Sequence, residues 1–324
     1  MELLVIKSHD PAFNLACEEY ALMELRRELL MLWRNSPAII IGRNQNALAE
    51  IDMDYIRVHD IQVIRRLSGG GAVFHDLGNI NFTIINPLRD DDFSNYARFT
   101  APLRDFLAVK GLKAELNGRN DLVIGDSKFS GNAQTVSGDW ILSHGCLLYD
   151  ADLARLAFAL KPRPAKIASH GVESVRSRVT NLADHLPDAP SVEEFFIELA
   201  SWFGQSCQGV YEFNAADIKR IEQLKADKYG TWEWNIGASP DYGYHQEKRF
   251  DSGTVEVGLE VQNGVICRAG ITGDFFGTAD VGELESALCN LPHEREALLA
   301  VLSQMDVPSY IYGISAEELL ELLC

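Results

Sequence analysis

The 324-residue chain has no Cys-x-x-Cys pair, an excess of acids over bases, and no apolar run long enough to span a bilayer. Its six cysteines (Cys17, Cys146, Cys207, Cys267, Cys289 and Cys324) are scattered. That spacing argues against a zinc site and against a disulfide framework in a chain of this size, so free thiols are expected. With 29 Lys+Arg against 47 Asp+Glu the formal net charge is −18. A nucleic-acid groove needs a basic surface, so no nucleic-acid partner is expected. The first residues, MELLVIKSHD, reach Lys7 and Asp10 before an apolar leader core can develop. Neither a secretory leader nor a membrane association is expected, and the cytoplasm is the expected location.

The 47% hydrophobic content is ample for a buried core, and the length suggests two domains rather than one. Charge is unevenly spread: from Gln246 to Cys324 there are 14 acidic and 4 basic residues. The bases gather N-terminally, several of them near glycines: Arg65, Arg66, Arg119, Lys128, Lys161, Arg163, Lys166, Arg176 and Arg178. This pattern suits a local anionic ligand better than a large anionic surface.

Asp10-Pro11 reads as a helix cap followed by proline at the first helical position, with an apolar face through Phe13, Ala16, Tyr20 and Met23 as far as about Arg27. Short apolar segments at 31–34, 38–41, 62–66, 72–75 and 81–85 read as strands, as do 121–124, 128–134 and 140–149. A helix is expected at 94–109, where Tyr96, Phe99, Leu103, Phe106 and Leu107 recur at helical spacing, and another after the capping-box sequence Ser191-Val192-Glu193-Glu194. Gly237, Pro240 and Gly243 mark the best linker, placing one domain at 1–240 and another at 246–324. Beyond it, 254–261 and 265–271 alternate like a hairpin turned at Asn263-Gly264, followed by helices near 282–290, 294–304 and 316–323. This second domain reads as small and α+β.

Three motifs carry chemistry. In IRRLSGGGAVFHDLGNINF (64–82), Gly69-Gly70-Gly71 lacks the Gly-Lys-Ser/Thr ending of a P-loop and leads into a strand. A hairpin turn would need fewer glycines. The adjoining arginines and His75 favour a ligand-binding turn in which bare backbone N–H groups approach an anion. In NGRNDLVIGDSKFSGNAQ (117–134), a strand, a turn at Gly125-Asp126 and a second strand follow one another. Simple alternation puts Lys128 and Ser130 on one face and Phe129 on the other. The small residues Ser130, Gly131 and Ala133 leave room for a substrate beside the ammonium, which could neutralise charge developing on phosphate. The third stretch, HGVESVRSRVTNL (170–182), is a weak signal alone.

Taken together, RRLSGGGAVFHDLGN, GRNDLVI, KFSGNAQ, HGCLLYDADL, SVRSRVTNL and, further on, RFDSGTVEVGLEV with GDFF occur in the order seen in lipoate-protein ligases that use ATP. The chain resembles that branch of the biotin/lipoate ligase superfamily over essentially its whole length. The resemblance implies an α/β (α+β) fold: a mixed-sheet catalytic domain with a small α+β accessory domain. It also implies the reaction, in which lipoate and ATP form lipoyl-AMP and pyrophosphate, and the lipoyl group then passes to a lysine of a lipoyl carrier domain. Such carriers are the E2 subunits of 2-oxoacid dehydrogenases and the H protein of glycine cleavage.

By the same resemblance, Arg66, Ser68, Gly69, Gly70, Gly71 and His75 match the loop that cradles the adenylate and acyl carbonyl. Asn120 and Asp121 match positions near the phosphate and Mg²⁺, with Asp121 the metal ligand. Lys128 matches the essential lysine, Ser130, Gly131 and Ala133 line the nucleotide side, and Val175, Arg176, Ser177 and Arg178 match the adenylate-binding loop. Trp33, with Ile39 to Ile41, offers a wall for the lipoyl tail, or else is a core aromatic. Two positions depart from the family pattern: His170 stands where lysine is common, and Gln134-Thr135 replaces an aromatic-plus-Arg pair of some members. Two other readings stay open. One is an acyl transferase using a thioester on Cys146, and the other is a non-catalytic lipoate-binding protein.

Overall fold

The computed structural model describes residues 1–45, 47, 51, 53–155, 179–236, 243–262 and 264–324. The first helix, α1 (Pro11–Tyr20), begins where Asp10 Oδ1 accepts the N–H groups of Ala12 and Phe13, with Pro11 supplying a fixed φ at the first position. It is shorter than its apolar face suggests. A π-helical turn, Ala21–Leu25, ends it, and Arg26 adopts a left-handed conformation.

Among the described residues, seven strands build the main sheet: β1 (Glu2–Val5), β2 (Leu29–Trp33), β6 (Asn79–Pro87), β7 (Glu115–Asn117), β8 (Asp121–Ile124), β9 (Ser127–Ser137) and β10 (Trp140–Leu148). Their order is β1-β2-β6-β10-β9-β8-β7. The β1–β2 pair is parallel and the rest are antiparallel, which makes the sheet mixed. A second sheet, ordered β4-β3-β5, is made of β3 (Ala38–Ile41), β4 (Gln62–Arg65) and β5 (Val73–His75).

The two faces of the main sheet bury different things. One packs Leu30, Leu32, Phe82, Ile84, Leu122, Phe129 and Leu147 against helix α3 (Tyr96–Val109) and helix α4 (Val192–Ser206). Each fully buried phenylalanine there contributes about 1.5–3 kcal/mol of transfer free energy. The opposite face packs Leu29, Met31, Trp33, Ile85 and Leu142 against α1 and the β3 and β4 residues Ile40 and Ile64. The reciprocal Ser191–Glu194 cap of α4 is formed. Helix α2 (Met53–Val58), helix α5 (Ala215–Leu224) and helix α6 (Trp232–Asn235) complete this part of the chain.

C-terminally, β11 (Tyr244–Phe250), β12 (Gly253–Gln262) and β13 (Val265–Gly273) form an antiparallel sheet. Among the described residues its fully buried apolar core runs from Val255 onward and includes Leu259, Phe275, Leu284, Leu298 and Leu319, with Tyr244 and Phe250 packed partly buried against it. Helices α7 (Val281–Leu288), α8 (Arg295–Leu302), α9 (Val307–Tyr310) and α10 (Ala316–Leu323) cover it. Of the expected linker, residues 237–242 lie outside the described residues, as does Asn263 of the hairpin turn.

Candidate functional site

Cross-strand register sets up the site. Trp33 pairs with Asn81, Asn81 with Cys146, Cys146 with Gly131, and Gly131 with Asp121. Directly paired residues share a face, so these five form one row across the sheet. The next row carries Thr83, His144 and Ala133. Both rows face the second sheet, and the space between holds a cavity of about 480 Å³.

Lys128 reaches this cavity because of a register shift. Leu122 pairs with Ser130 but Val123 pairs with Lys128, which leaves Phe129 as an extra residue on β9. Phe129 and Ser130 therefore turn to the helix-covered face, where Ser130 Oγ lies 3.5 Å from Asn132 Nδ2. Lys128 turns the other way, and its Nζ sits 3.1 Å from where a Cβ on Gly131 would be. The expectation that Lys128 and Ser130 share a face is thus corrected: the bulge breaks the simple alternation on which it rested. Lys128 Nζ forms an ion pair with Asp121 Oδ1 at 2.8 Å, and both side chains remain about one-third exposed.

The glycine loop is held from behind. Arg66, 6% exposed, donates from Nε to Ser68 Oγ (3.1 Å), from Nη1 to Ile40 O (3.1 Å), and from Nη2 to Gly69 O (2.7 Å) and Gly71 O (2.9 Å). Burial pulls its guanidinium down to about 10. With those carbonyls turned to Arg66, the planar trans peptide points the N–H groups of Gly70 and Ala72 the opposite way. Gly70 N–H meets Phe275 O at 3.3 Å. Gly69 lies against the same carbonyl, 2.2 Å from where a Cβ would stand, and Gly70 has φ +90°. Only glycine fits such an approach. The neighbouring Arg65 is spent on backbone carbonyls of Gly42, Arg43, Gln45, Trp234 and Asn235.

Beneath the loop runs a buried polar chain. Trp33 Nε1 donates to Thr83 Oγ1 (3.2 Å), whose hydroxyl donates to Glu18 Oε1 (2.5 Å). Glu18 Oε1 also lies 2.9 Å from His144 Nδ1, and His144 Nε2 lies 2.7 Å from Ser68 Oγ. The chain thus connects the wall of the cavity with the glycine loop. His75 is fixed differently: Asn14 Nδ2 donates to Asn35 Oδ1 (2.9 Å), so Asn35 turns its own amide nitrogen to His75 Nδ1 (3.2 Å). Nδ1 is then the acceptor and Nε2 carries the proton. Burial, with Arg66 nearby, pulls the imidazole down to about 3 and keeps it neutral.

Of the residues expected from sequence, Trp33, Arg66, Gly70, Gly71, His75, Asn120, Asp121, Lys128, Gly131 and Ala133 all line this one cavity, and Ser130 borders it although its side chain turns to the other face. Trp33 is both wall and core, at 2% exposure. Ser68 and Gly69 sit behind the loop in the contacts just given. Val175, Arg176, Ser177 and Arg178 lie outside the described residues, as does His170. Val179, which follows them, bridges in parallel to Lys128, and Thr180 N–H donates to Lys128 O at 2.9 Å.

Sequence reasoning missed Glu18, Asn81 and His144. It also missed the contribution of the C-terminal sheet: Arg249 and Asp274 line the cavity, and Arg119 stacks over Phe276 at 4.2 Å. The quoted GDFF stretch was the available signal. Among the described residues no group of three or more His, Cys, Asp or Glu side chains is placed to hold a metal ion, and no helix is long and apolar enough to cross a membrane.

Comparison with known proteins gives the same picture. Residues 10–204 match the model of the lipoyl protein ligase A/B catalytic domain, and residues 239–323 match that of the bacterial lipoate protein ligase C-terminus. The chain is 43% identical to lipoate–protein ligase 1 of Staphylococcus aureus over 97% of both chains. It is 40% identical to the lipoate-protein ligase LplJ of Bacillus subtilis, again over 97% of each. Among solved structures, Plasmodium falciparum LipL1 in complex with lipoate is similar at TM-score 0.79 and 25% identity, covering 99% of this chain and 97% of that one. A lipoate-protein ligase A bound with ATP is similar at TM-score 0.63 and 28% identity, covering 73% and 98%. A bipartite lipoate protein ligase of Thermoplasma acidophilum, solved with its E2 lipoyl domain, is similar at TM-score 0.65 and 27% identity, covering 75% and 98%. With a family model covering more than half of its length and near-full-length relatives at 40% and 43% identity, this chain belongs to the lipoate-protein ligase family.

Proposed function

We infer that this chain is an ATP-dependent lipoate-protein ligase, which joins lipoate to ATP and then passes the lipoyl group to a lipoyl-accepting protein. The observation that carries the reading is the placement of a partly exposed lysine, Lys128, and a glycine loop on one cavity whose other end is walled by Trp33 and Ile40. In the first step a lipoate carboxylate oxygen bonds to the α-phosphorus of ATP and the bond to pyrophosphate breaks. Two anions must approach, so the barrier is largely electrostatic. Lys128 supplies the positive charge, and the loop, held rigid by Arg66, turns backbone N–H groups outward.

In the second step the amine of a carrier lysine attacks the acyl carbonyl, AMP leaves, and the amine proton goes to solvent. Lys128 can hold that carbonyl as it did the carboxylate. His75, neutral with its proton on Nε2, can donate but not accept. Asn120 acts indirectly: its carbonyl accepts Asn132 N–H at 3.0 Å and its side-chain amide donates to Asn132 O, which fixes the turn before Asp121.

Mg²⁺ fits this donor set. It is commonly held by one or two carboxylates plus substrate phosphates, and Asp121 offers a partly exposed carboxylate beside Lys128. When bound, the ion would neutralise phosphate charge. The segment Val175 to Arg178 belongs to the same proposal as an adenylate-binding loop. So does the division into a catalytic unit at 1–240 and an accessory unit at 246–324, supported by the separate C-terminal core. The acceptors we propose are the lipoyl domains of 2-oxoacid dehydrogenase E2 subunits and the glycine cleavage H protein, in the cytoplasm, where the free cysteines would stay reduced. Exchange of labelled pyrophosphate into ATP tests the reading: it should require lipoate. Exchange that ignores lipoate, or none with it, contradicts the assignment.

A further inference from the structure

Resting on that reading, the row Trp33, Asn81, Cys146, Gly131, Asp121 acts as a ruler for the acyl chain. The Lys128 ammonium lies over Gly131. Two strand spacings, about 10 Å, separate Gly131 from Asn81. An extended lipoyl chain covers that span, so an acyl carbonyl held at Lys128 sends its ring toward Asn81 and Trp33.

That end of the cavity is not purely apolar. Asn81 is only 1% exposed, yet among the described residues its Nδ2 has no hydrogen-bond partner. His75, 4% exposed, has an Nε2 in the same condition. Both side chains line the cavity and both flank Trp33: Asn81 is its register partner, and the His75 ring stands edge-on with centroids 6.2 Å apart. A buried donor without an acceptor costs its full desolvation. A straight alkyl tail leaves both donors unsatisfied, whereas a dithiolane brings polarisable sulfur atoms that accept weakly and pack well against an aromatic ring.

We propose that Asn81 is a specificity-determining residue which, with His75, favours an acyl substrate ending in a dithiolane ring over a straight-chain acid of the same length. The test is pyrophosphate exchange driven by lipoate or by octanoate, with kcat/KM measured for each. Wild type should favour lipoate at least tenfold. Asn81→Leu and the smaller Asn81→Val should cut that ratio at least fivefold, because lipoate loses its donor and octanoate gains an apolar wall. His75 stays unsubstituted because its ring is also tied through Asn35 to Asn14, so its loss would disturb that buried network as well as the cavity wall. A ratio unchanged within twofold in variants that keep the wild-type melting temperature overturns the proposal. So does a wild-type enzyme that uses octanoate as well as lipoate, a result that needs no variant to fold. Exchange with neither acid is a distinct outcome: it overturns the ligase reading itself, and this inference with it.

Discussion

Ser68 Oγ lies 2.7 Å from His144 Nε2, and through His144 it is joined to Glu18 on the first helix. Ser68 also receives Arg66 Nε, so Ser68 and His144 stand between the carboxylate of Glu18 and the buried guanidinium of Arg66. Removing either end leaves buried polar atoms without partners. Glu18→Gln and His144→Gln should each lower stability by about 1–3 kcal/mol, measured from urea midpoints. The double variant should lose clearly less than the sum of the two, since the groups share one network. Strict additivity would mean that the chain is not one unit.

His75 links stability to pH. Its folded value of about 3 lies below the ordinary histidine value of 6.5, so between those limits the unfolded chain binds a proton that the folded chain does not. Stability contributed by the neutral ring is therefore complete above about pH 6.5 and declines as pH falls toward 3. The loss across that window is of order a few kcal/mol. His75→Gln cannot titrate and should flatten this part of the pH–stability curve. An unchanged slope would place the acid sensitivity elsewhere.

Phe275 and Phe276 close the glycine loop from the C-terminal side, through the Gly70 N–H to Phe275 O bond and the stack of Arg119 on Phe276. A phosphate seeking the Gly70 N–H must displace that carbonyl. Forming the adenylate should therefore shift the C-terminal unit, and small-angle scattering profiles of the free protein and of the protein with a non-hydrolysable lipoyl-AMP analogue should differ. Phe276→Ala should move the free profile toward the liganded one. Superimposable profiles in all three samples would remove the coupling.

Most of the fold could be read from residues whose chemistry is local. The Ser191–Glu194 box, the Asp10-Pro11 cap and the helical spacing of Tyr96, Phe99, Leu103 and Phe106 each announce an element within a few residues. Strand β1 is four residues long and pairs in parallel with a strand more than twenty residues away, so nothing near it signals its partner. Strand β11, YHQEKRF, is largely exposed and lacks the apolar alternation that marks a half-buried strand. The site divides in the same way. Gly69–Gly71 and Lys128 stand out because their residue types are unusual in context. Glu18 and His144 are ordinary residues 126 positions apart until the sheet and α1 bring them together. The bulge at Phe129 is also silent in sequence, because only pairing with β8 defines it.

Cys146 sits in the middle of the row that runs from Trp33 to Asp121, where burial raises its thiol above the ordinary value and so disfavours the nucleophilic thiolate. Lys128, by contrast, is partly exposed and pairs with Asp121 Oδ1 at 2.8 Å. The measurement that separates the two is lipoate-dependent pyrophosphate exchange in Lys128→Ala and Cys146→Ser, with intact-mass analysis of the protein after turnover. Exchange should be lost by at least a thousandfold in Lys128→Ala, and retained within about threefold in Cys146→Ser with no acyl adduct on the chain. Loss of turnover in Cys146→Ser together with an ATP-independent acyl adduct on the wild-type cysteine would contradict it.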